Sequence, residues 1–172
     1  LVKKGLHFTT NSDTEVILKL YESEGTASFH KLDGMFAFSI YDKRINKVFI
    51  ARDFFGEKPL YYTQNNQKFI WASELKSLLK VLSPKPIIST IGLNHYLRLT
   101  YIPAPHTIYQ DIFKLEANHY LAYDLLKNTY SISSIENEFK RDPIDIDFNS
   151  AKKKTETLVR ESVESRSITD DP

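Results

Sequence analysis

The stretch from Asp33 to Lys76, DGMFAFSIYDKRINKVFIARDFFGEKPLYYTQNNQKFIWASELK, constrains the fold more than any other part of this chain. Four β-type runs follow one another with only short polar breaks. Phe36, Phe38 and Ile40 alternate with Ala37, Ser39 and Tyr41, so Gly34–Tyr41 reads as a strand apolar on both faces and buried between two layers. Val48–Ala51, Leu60–Thr63 and Phe69–Ala72 read as further strands. The breaks carry turn chemistry: Asp42 to Asn46, then Gly56 and Pro59, then Gln64-Asn65-Asn66-Gln67. Breaks this short read as hairpins.

Helical patterns flank the strands. Ser12-Asp13-Thr14-Glu15 has capping-box spacing, in which Ser12 accepts from the amide of Glu15 and Glu15 reaches back to the amide of Ser12. Val16, Ile17, Leu20 and Tyr21 then recur at helical spacing, which predicts a helix from about Asp13 to Glu24, stopped by Gly25. A short helical turn is expected over Ala27–Lys31. Ser73 is expected to cap a helix to about Val81, with Leu75, Leu78 and Leu79 as its apolar face. Ser89 is expected to cap another through Leu99, with Ile91, Leu93, Tyr96 and Leu97 as core positions. Pro103 and Pro105 make Tyr101–His106 an extended loop. Ile112–Leu115, His119–Tyr123 and Tyr130–Ile132 read as short strands, and the charged Glu136–Phe148 as a linker. Asn149 or Ser150 caps a last helix through about Arg166. Its apolar positions are only Ala151, Leu158, Val159 and Val163, the pattern of a helix at a domain edge.

A chain of 172 residues can bury one good core and begin a second domain. Its 23 basic and 22 acidic residues nearly cancel, so no field of one sign is available to recruit nucleic acid or an anionic membrane. There is no cysteine, which excludes disulfides, thiolate metal sites and a cysteine nucleophile within these residues. No apolar run approaches the roughly 20 residues that cross a bilayer. Leu1 and the closing Asp170-Asp171-Pro172 read as internal positions of a longer polypeptide.

Few residues offer chemistry by themselves. Asp13 falls in the first turn of a helix, where the helix dipole favours an ionised carboxylate that can grip an ammonium. Acidic first turns are also ordinary, and from the residues alone an improved helix start is the simpler account. Arg52 and Asp53 close a strand and alternate in direction, so each is expected to find its own partner and fix the strand end. Lys58 could face a site, but a solvated turn residue is the simpler account. Ser73 lacks the glycine elbow of a nucleophilic serine and reads as a cap. His7, His30, His95, His106 and His119 show no metal-ligand spacing, so no metal is assigned. The five glycines are scattered, and none forms a phosphate loop.

Taken in order, the motifs resemble a known family. Ser12-Asp13-Thr14-Glu15-Val16-Ile17-Leu18, Leu32-Asp33-Gly34-Met35-Phe36-Ala37-Phe38, Ala51-Arg52-Asp53 with Gly56, Lys58-Pro59-Leu60-Tyr61-Tyr62 and Ala72-Ser73-Glu74 with Lys76 look like class II glutamine amidotransferase domains. Tyr96-Leu97, Tyr101-Ile102-Pro103-Ala104-Pro105, Thr107-Ile108-Tyr109 and Ile112 with Lys114-Leu115 are similar to glutamine-hydrolysing asparagine synthetases. So is Glu161-Ser162-Val163 with Arg166, although Thr169 and Asp171 depart from the Ser-Asp-Val-Pro that the family has next.

The resemblance implies an α+β fold: part of a four-layer αββα N-terminal-nucleophile sandwich, then a connector and the first helices of an α/β ATP-pyrophosphatase-type domain. The implied division is 1–82 for the C-terminal part of the glutaminase domain, 83–149 for a connector with short strands, and 150–172 for the start of the synthetase domain. In that family an amino-terminal cysteine cleaves the glutamine side-chain amide, and its own α-amino group is the base. The ammonia amidates an aspartate activated by ATP to an aspartyl-adenylate. Residue by residue, the resemblance transfers only Asp13, as the group that binds the α-ammonium of glutamine. It reverses the simpler account of that residue. Asp33, Arg52, Asp53, Gly56 and Ser73-Glu74 are expected to be scaffold. Glutamine is the implied ligand here, with aspartate, ATP and Mg2+ in the synthetase domain, a cytoplasmic setting, and homodimer formation left open. Relatives with another acceptor, closing a β-lactam or peptide ring or amidating a sugar or peptide, and a non-catalytic module on the same scaffold, are the alternative readings.

Overall fold

Two antiparallel sheets form where the period-two patterns lie. The computed structural model describes residues 5–65, 68–135, 143 and 145–167. In order these form helix α1 (Asp13–Glu24), a 3-10 turn (Gly25–Lys31), strands β1 (Ala37–Asp42), β2 (Lys47–Arg52), β3 (Tyr61–Gln64) and β4 (Phe69–Ala72), helices α2 (Leu75–Val81) and α3 (Thr90–Leu99), strands β5 (Phe113–Lys114), β6 (His119–Asp124) and β7 (Thr129–Ser134), and helix α4 (Phe148–Arg166). The chain separates into two units, Leu1–Glu136 and Asn137–Pro172. Most of the expected linker Glu136–Phe148, and the departures at Thr169 and Asp171, lie outside the described residues.

One sheet runs β1-β2-β6-β7 and the other β4-β3-β5. The strands expected within 83–149 are therefore members of the same two sheets as the strands before them. β2 and β6 are the central pair, and their register decides what each layer buries. Val48 stands opposite Tyr123 and Ile50 opposite Leu121; these four join Leu60, Tyr62 and Leu115 in the core between the sheets. Phe49 opposite Ala122 and Ala51 opposite Tyr120 point the other way, onto Tyr21 of α1 and Phe29 of the 3-10 turn. Phe29 meets Phe38 and Tyr120 edge to face, with ring centroids 5.3 and 5.6 Å apart. Each fully buried side chain such as Ile50 contributes roughly 1.5–3 kcal/mol. The strand buried on both faces is thus β2. β1, expected in that role, is an edge strand whose Ser39 and Tyr41 are exposed while Ile40 is buried against α1.

A polar pin holds the helix layer to the sheet. The Tyr21 hydroxyl donates to Asp42 Oδ2 at 2.9 Å, and Arg44 binds both oxygens of the same carboxylate at 3.0 and 2.8 Å. Burial, then the Asp42 carboxylate, push the Tyr21 phenol up to about 12. The Arg44 guanidinium holds Asp42 well below the usual carboxylate range.

Three helix starts differ from expectation. Ser12 accepts from the amide of Thr14 at 3.2 Å, not from Glu15. α2 begins after Glu74, and Ser73 does not cap it. Asp147, not Asn149 or Ser150, caps α4, accepting from both of their amides at 2.9 and 3.2 Å. The cap of α3 is Ser89, accepting from Gly92 at 3.1 Å as its sequence predicts.

The orientation of α3 corrects the sequence reading more deeply. Ile91, Leu93, Tyr96 and Leu97, expected in the core, are all exposed. The buried residue of this helix is Gly92, and a Cβ there would lie 2.1 Å from the Thr107 carbonyl oxygen. Main-chain bonds complete the attachment: the Ser89 amide donates to Ile108 at 2.8 Å and the Gln110 amide to Ile87 at 2.9 Å. Thr107, buried, fixes the receiving loop by donating its hydroxyl to the Ile112 carbonyl at 2.8 Å and accepting the Tyr109 amide at 3.1 Å. Gly92→Ala forces backbone apart rather than a side chain. It is expected to lower unfolding stability by about 1–3 kcal/mol in urea titration, whereas Leu97→Ala on the exposed side shifts it by less than about 0.5 kcal/mol.

Candidate functional site

The loop before α1 is organised by Glu15. Its carboxylate accepts from the Thr9 amide at 3.0 Å and the Thr10 amide at 2.7 Å, and from the hydroxyls of both at 3.1 and 2.6 Å. The expected reach to Ser12 is thus replaced by a longer reach to Thr9 and Thr10. These bonds, the Thr10 hydroxyl first, hold Glu15 down at about 2. With the loop tied back, Asp13 stands exposed at the start of the helix. Its carboxylate accepts a 3.4 Å bond from the Thr14 hydroxyl.

Two clefts meet at Asp13. One, of about 300 Å³, is lined by Asp13, Thr14, Lys58 and Ser73 among polar groups and by Met35 and Phe36 among apolar ones. The other, of about 510 Å³, runs along Val16, Leu20 and Glu24 and shares Asp13, Ile17, Met35 and Phe36 with the first. Sequence reasoning selected Asp13, preferred a turn role for Lys58 while allowing that it could face a site, and read Ser73 as a cap. The structure brings all three to one cleft. The signal that could have found Lys58 lies in the preceding Arg52-Asp53, whose burial fixes its loop.

Arg52 and Asp53 are 4% and 0% exposed and act separately, as their alternation predicts. Arg52 donates to three carbonyls: Lys58 (2.8 Å), Leu115 and Gly56. Burial lowers its pKa, and the neighbouring Asp53 charge opposes that shift. Asp53 Oδ1 and Oδ2 accept the amides of Glu57 at 2.8 Å and Lys58 at 3.0 Å. Its own amide donates to Phe36 at 3.0 Å, and its carbonyl accepts from Asn118 at 2.9 Å. These contacts are structural, joining the end of β2 to the loop before β3 and the segment after β5.

No group of three histidine or acidic side chains converges as a metal site among the described residues. His95 and His106 stand with ring centroids 5.5 Å apart and tilted by 31°. Among the described residues no helix is long and apolar enough to cross a membrane.

Two antiparallel sheets packed face to face, with a helix layer over one of them, define an N-terminal-nucleophile type of amidotransferase fold. Glutamine phosphoribosylpyrophosphate amidotransferase of Bacillus subtilis, solved with ADP and GMP, has the same fold with a TM-score of 0.54 at 18% identity over 78% of this chain and 25% of that one. The family model of the glutamine amidotransferase domain matches residues 1–133, and the chain belongs to that family. Asparagine synthetase (glutamine-hydrolysing) 2 of Bacillus subtilis is 37% identical over 142 residues, 77% of this chain and 19% of its own length. A Methanocaldococcus jannaschii homologue, carrying the same name in provisional form, is 42% identical over 127 residues, 73% of this chain and 25% of its own. The chain thus spans a quarter or less of the length of these relatives.

The depressed Glu15 carboxylate gives the loop a pH dependence. Its folded value of about 2 lies below the ordinary 4.5, so its contribution is complete above about 4.5 and is lost as pH falls toward about 2. Thermal melts between pH 7 and pH 2 should show a smaller acid-induced loss of stability in Glu15→Gln than in the parent chain, with the variant already less stable at pH 7.

Proposed function

We propose that this chain is the glutamine-binding scaffold of an asparagine synthetase that takes its nitrogen from glutamine. The observation that carries this reading is Asp13. Its carboxylate is exposed on a cleft, outside every ion pair found among the described residues, and borders both apolar and hydroxyl-bearing walls. An ammonium placed there gains short charge-assisted hydrogen bonds. The names of the relatives support aspartate as the acceptor of ammonia released from glutamine.

Within this reading Asp13 binds and orients. It fixes the α-ammonium of glutamine, so that the side-chain amide is presented at a constant distance to a nucleophile, and orientation of this kind lowers the barrier by prepaid entropy. The Glu15 bonds to Thr9 and Thr10 keep the loop from closing over Asp13. The chain itself has no thiol to attack the amide. Aspartate activation by ATP belongs, in this proposal, to other parts of the protein.

Two measurements test it. In the full-length gene product, Asp13→Asn should lower kcat/KM for glutamine by about 10- to 100-fold, read as glutamate release, because it removes a charged hydrogen bond. An unchanged value would end the assignment of Asp13. The isolated 172-residue chain incubated with glutamine should release no glutamate above the uncatalysed background, and turnover by this chain would contradict the role given to it.

A further inference from the structure

Of the 10 residues in α3, only Gly92 and His95 are not exposed: the glycine is buried and the histidine half-buried. Residues three apart share a helix face, so the contact at Gly92 turns His95 toward the same loop. There its ring meets that of His106, also half-buried, with centroids 5.5 Å apart and planes 31° apart. The helix has apolar side chains at Ile91, Leu93 and Leu97, but they face solvent. A seam kept for packing alone would use those. This one is given to two imidazoles.

Both rings stand on fixed main chain. At Gly92 the helix lies directly on the Thr107 carbonyl, one residue from His106. The His106 amide donates to the Pro103 carbonyl at 3.0 Å, and the Lys114 amide to that of Pro105 at 2.9 Å. The buried Thr107 hydroxyl donates to Ile112 at 2.8 Å. Among the described residues neither imidazole hydrogen-bonds to a protein group, and their nitrogens reach solvent. A histidine nitrogen is a good ligand for Zn2+, Cu2+ and Ni2+, whereas Mg2+ and Ca2+ take oxygen. Two imidazoles bound to one such metal at about 2.0–2.1 Å hold their ring centroids roughly 4.5–5.5 Å apart. The last side-chain torsion of histidine is broad, so either ring can turn a nitrogen inward while the main chain stays in place.

We propose that His95 and His106 form a site for a divalent transition-metal ion, completed by water, that clamps α3 onto the loop over residues 103–107. Two protein ligands, with no carboxylate or carbonyl holding their other ring nitrogens, make the ion exchangeable. The helix is otherwise seated by Gly92 and main-chain bonds, so occupancy of the pair sets how tightly it is held. The site is independent of the Asp13 cleft and of the reading given to it.

The test uses the full-length gene product, without a histidine tag and stripped of metal, with Cu2+ and Zn2+ as probes. Electron paramagnetic resonance of the parent with Cu2+ is expected to show a species with two nitrogen ligands that is missing in both His95→Ala and His106→Ala. Zn2+ at about ten times its Kd should slow hydrogen exchange about tenfold at the Leu93 and Thr100 amides, which bond within α3 to Ser89 and Tyr96. Either variant should lose that slowing, and Mg2+ should produce none in the parent. Unchanged melting temperatures without metal show that the variants are folded. Should alanine unsettle the seam, His95→Gln and His106→Gln, which keep bulk but lack the imidazole, replace it. Equal Cu2+ spectra in parent and variants overturn the proposal. So does a parent whose α3 exchange Zn2+ leaves unchanged, or a loss of binding in one variant but not in the other.

Discussion

Everything in the larger unit depends on the guanidinium of Arg52 reaching three carbonyls at once. It sits at the end of β2, in the sheet that faces α1, and its partners are Gly56 and Lys58 before β3 and Leu115 after β5. Apolar packing draws the two sheets together but is indifferent to sliding. A planar cation with donors in a fixed fork is not, and it sets where one sheet lies on the other. A lysine could not make three such bonds in that geometry, and a methionine would leave three carbonyls short of a donor, each costing about 1–3 kcal/mol. Against a total stability of roughly 5–15 kcal/mol for a typical domain, that is a large share.

Around this fixed point the remaining interactions fall into two kinds. The core between the sheets, built on Ile50, Leu121 and Leu115, is apolar and closely packed. The interface between sheet and helix has an aromatic centre in Tyr21, Phe29 and Phe49, but its edge is the Tyr21–Asp42–Arg44 pin. The apolar part supplies the driving force, and the polar part defines which helix face meets which strand. Asp13 inherits its position from both. It starts the helix that Tyr21 anchors, and the loop in front of it is tied back by Glu15.

Sequence reading succeeded where local rules decide the outcome. The span of α1 was legible because its cap, its apolar period and its Gly25 stop agree, and Gly25 does adopt φ +64°. β4 follows from its flanking polar reversal and apolar run. The reading failed where distant partners decide. Glu15 bonds to Thr9 and Thr10 because that loop turns back, which no spacing rule encodes. β1 has a two-sided apolar pattern yet becomes an edge strand, because which strand lies in the middle depends on β6, some eighty residues away. α3 was read inside out: its apolar residues were counted, while the residue that governs its docking is the one without a side chain.

The way α3 is attached bears on how its surface can change. The helix is held by Gly92 and by main-chain hydrogen bonds, so the identities of Leu93 and Leu97 scarcely enter the folding free energy. Such positions are open to drift or to deliberate rewriting. Replacing them with glutamate or lysine would alter the solubility and charge of the chain while leaving the sheets, the Arg52 grip and the Asp13 cleft as they are. The outer face of this helix is thus a rewritable surface on a fixed support.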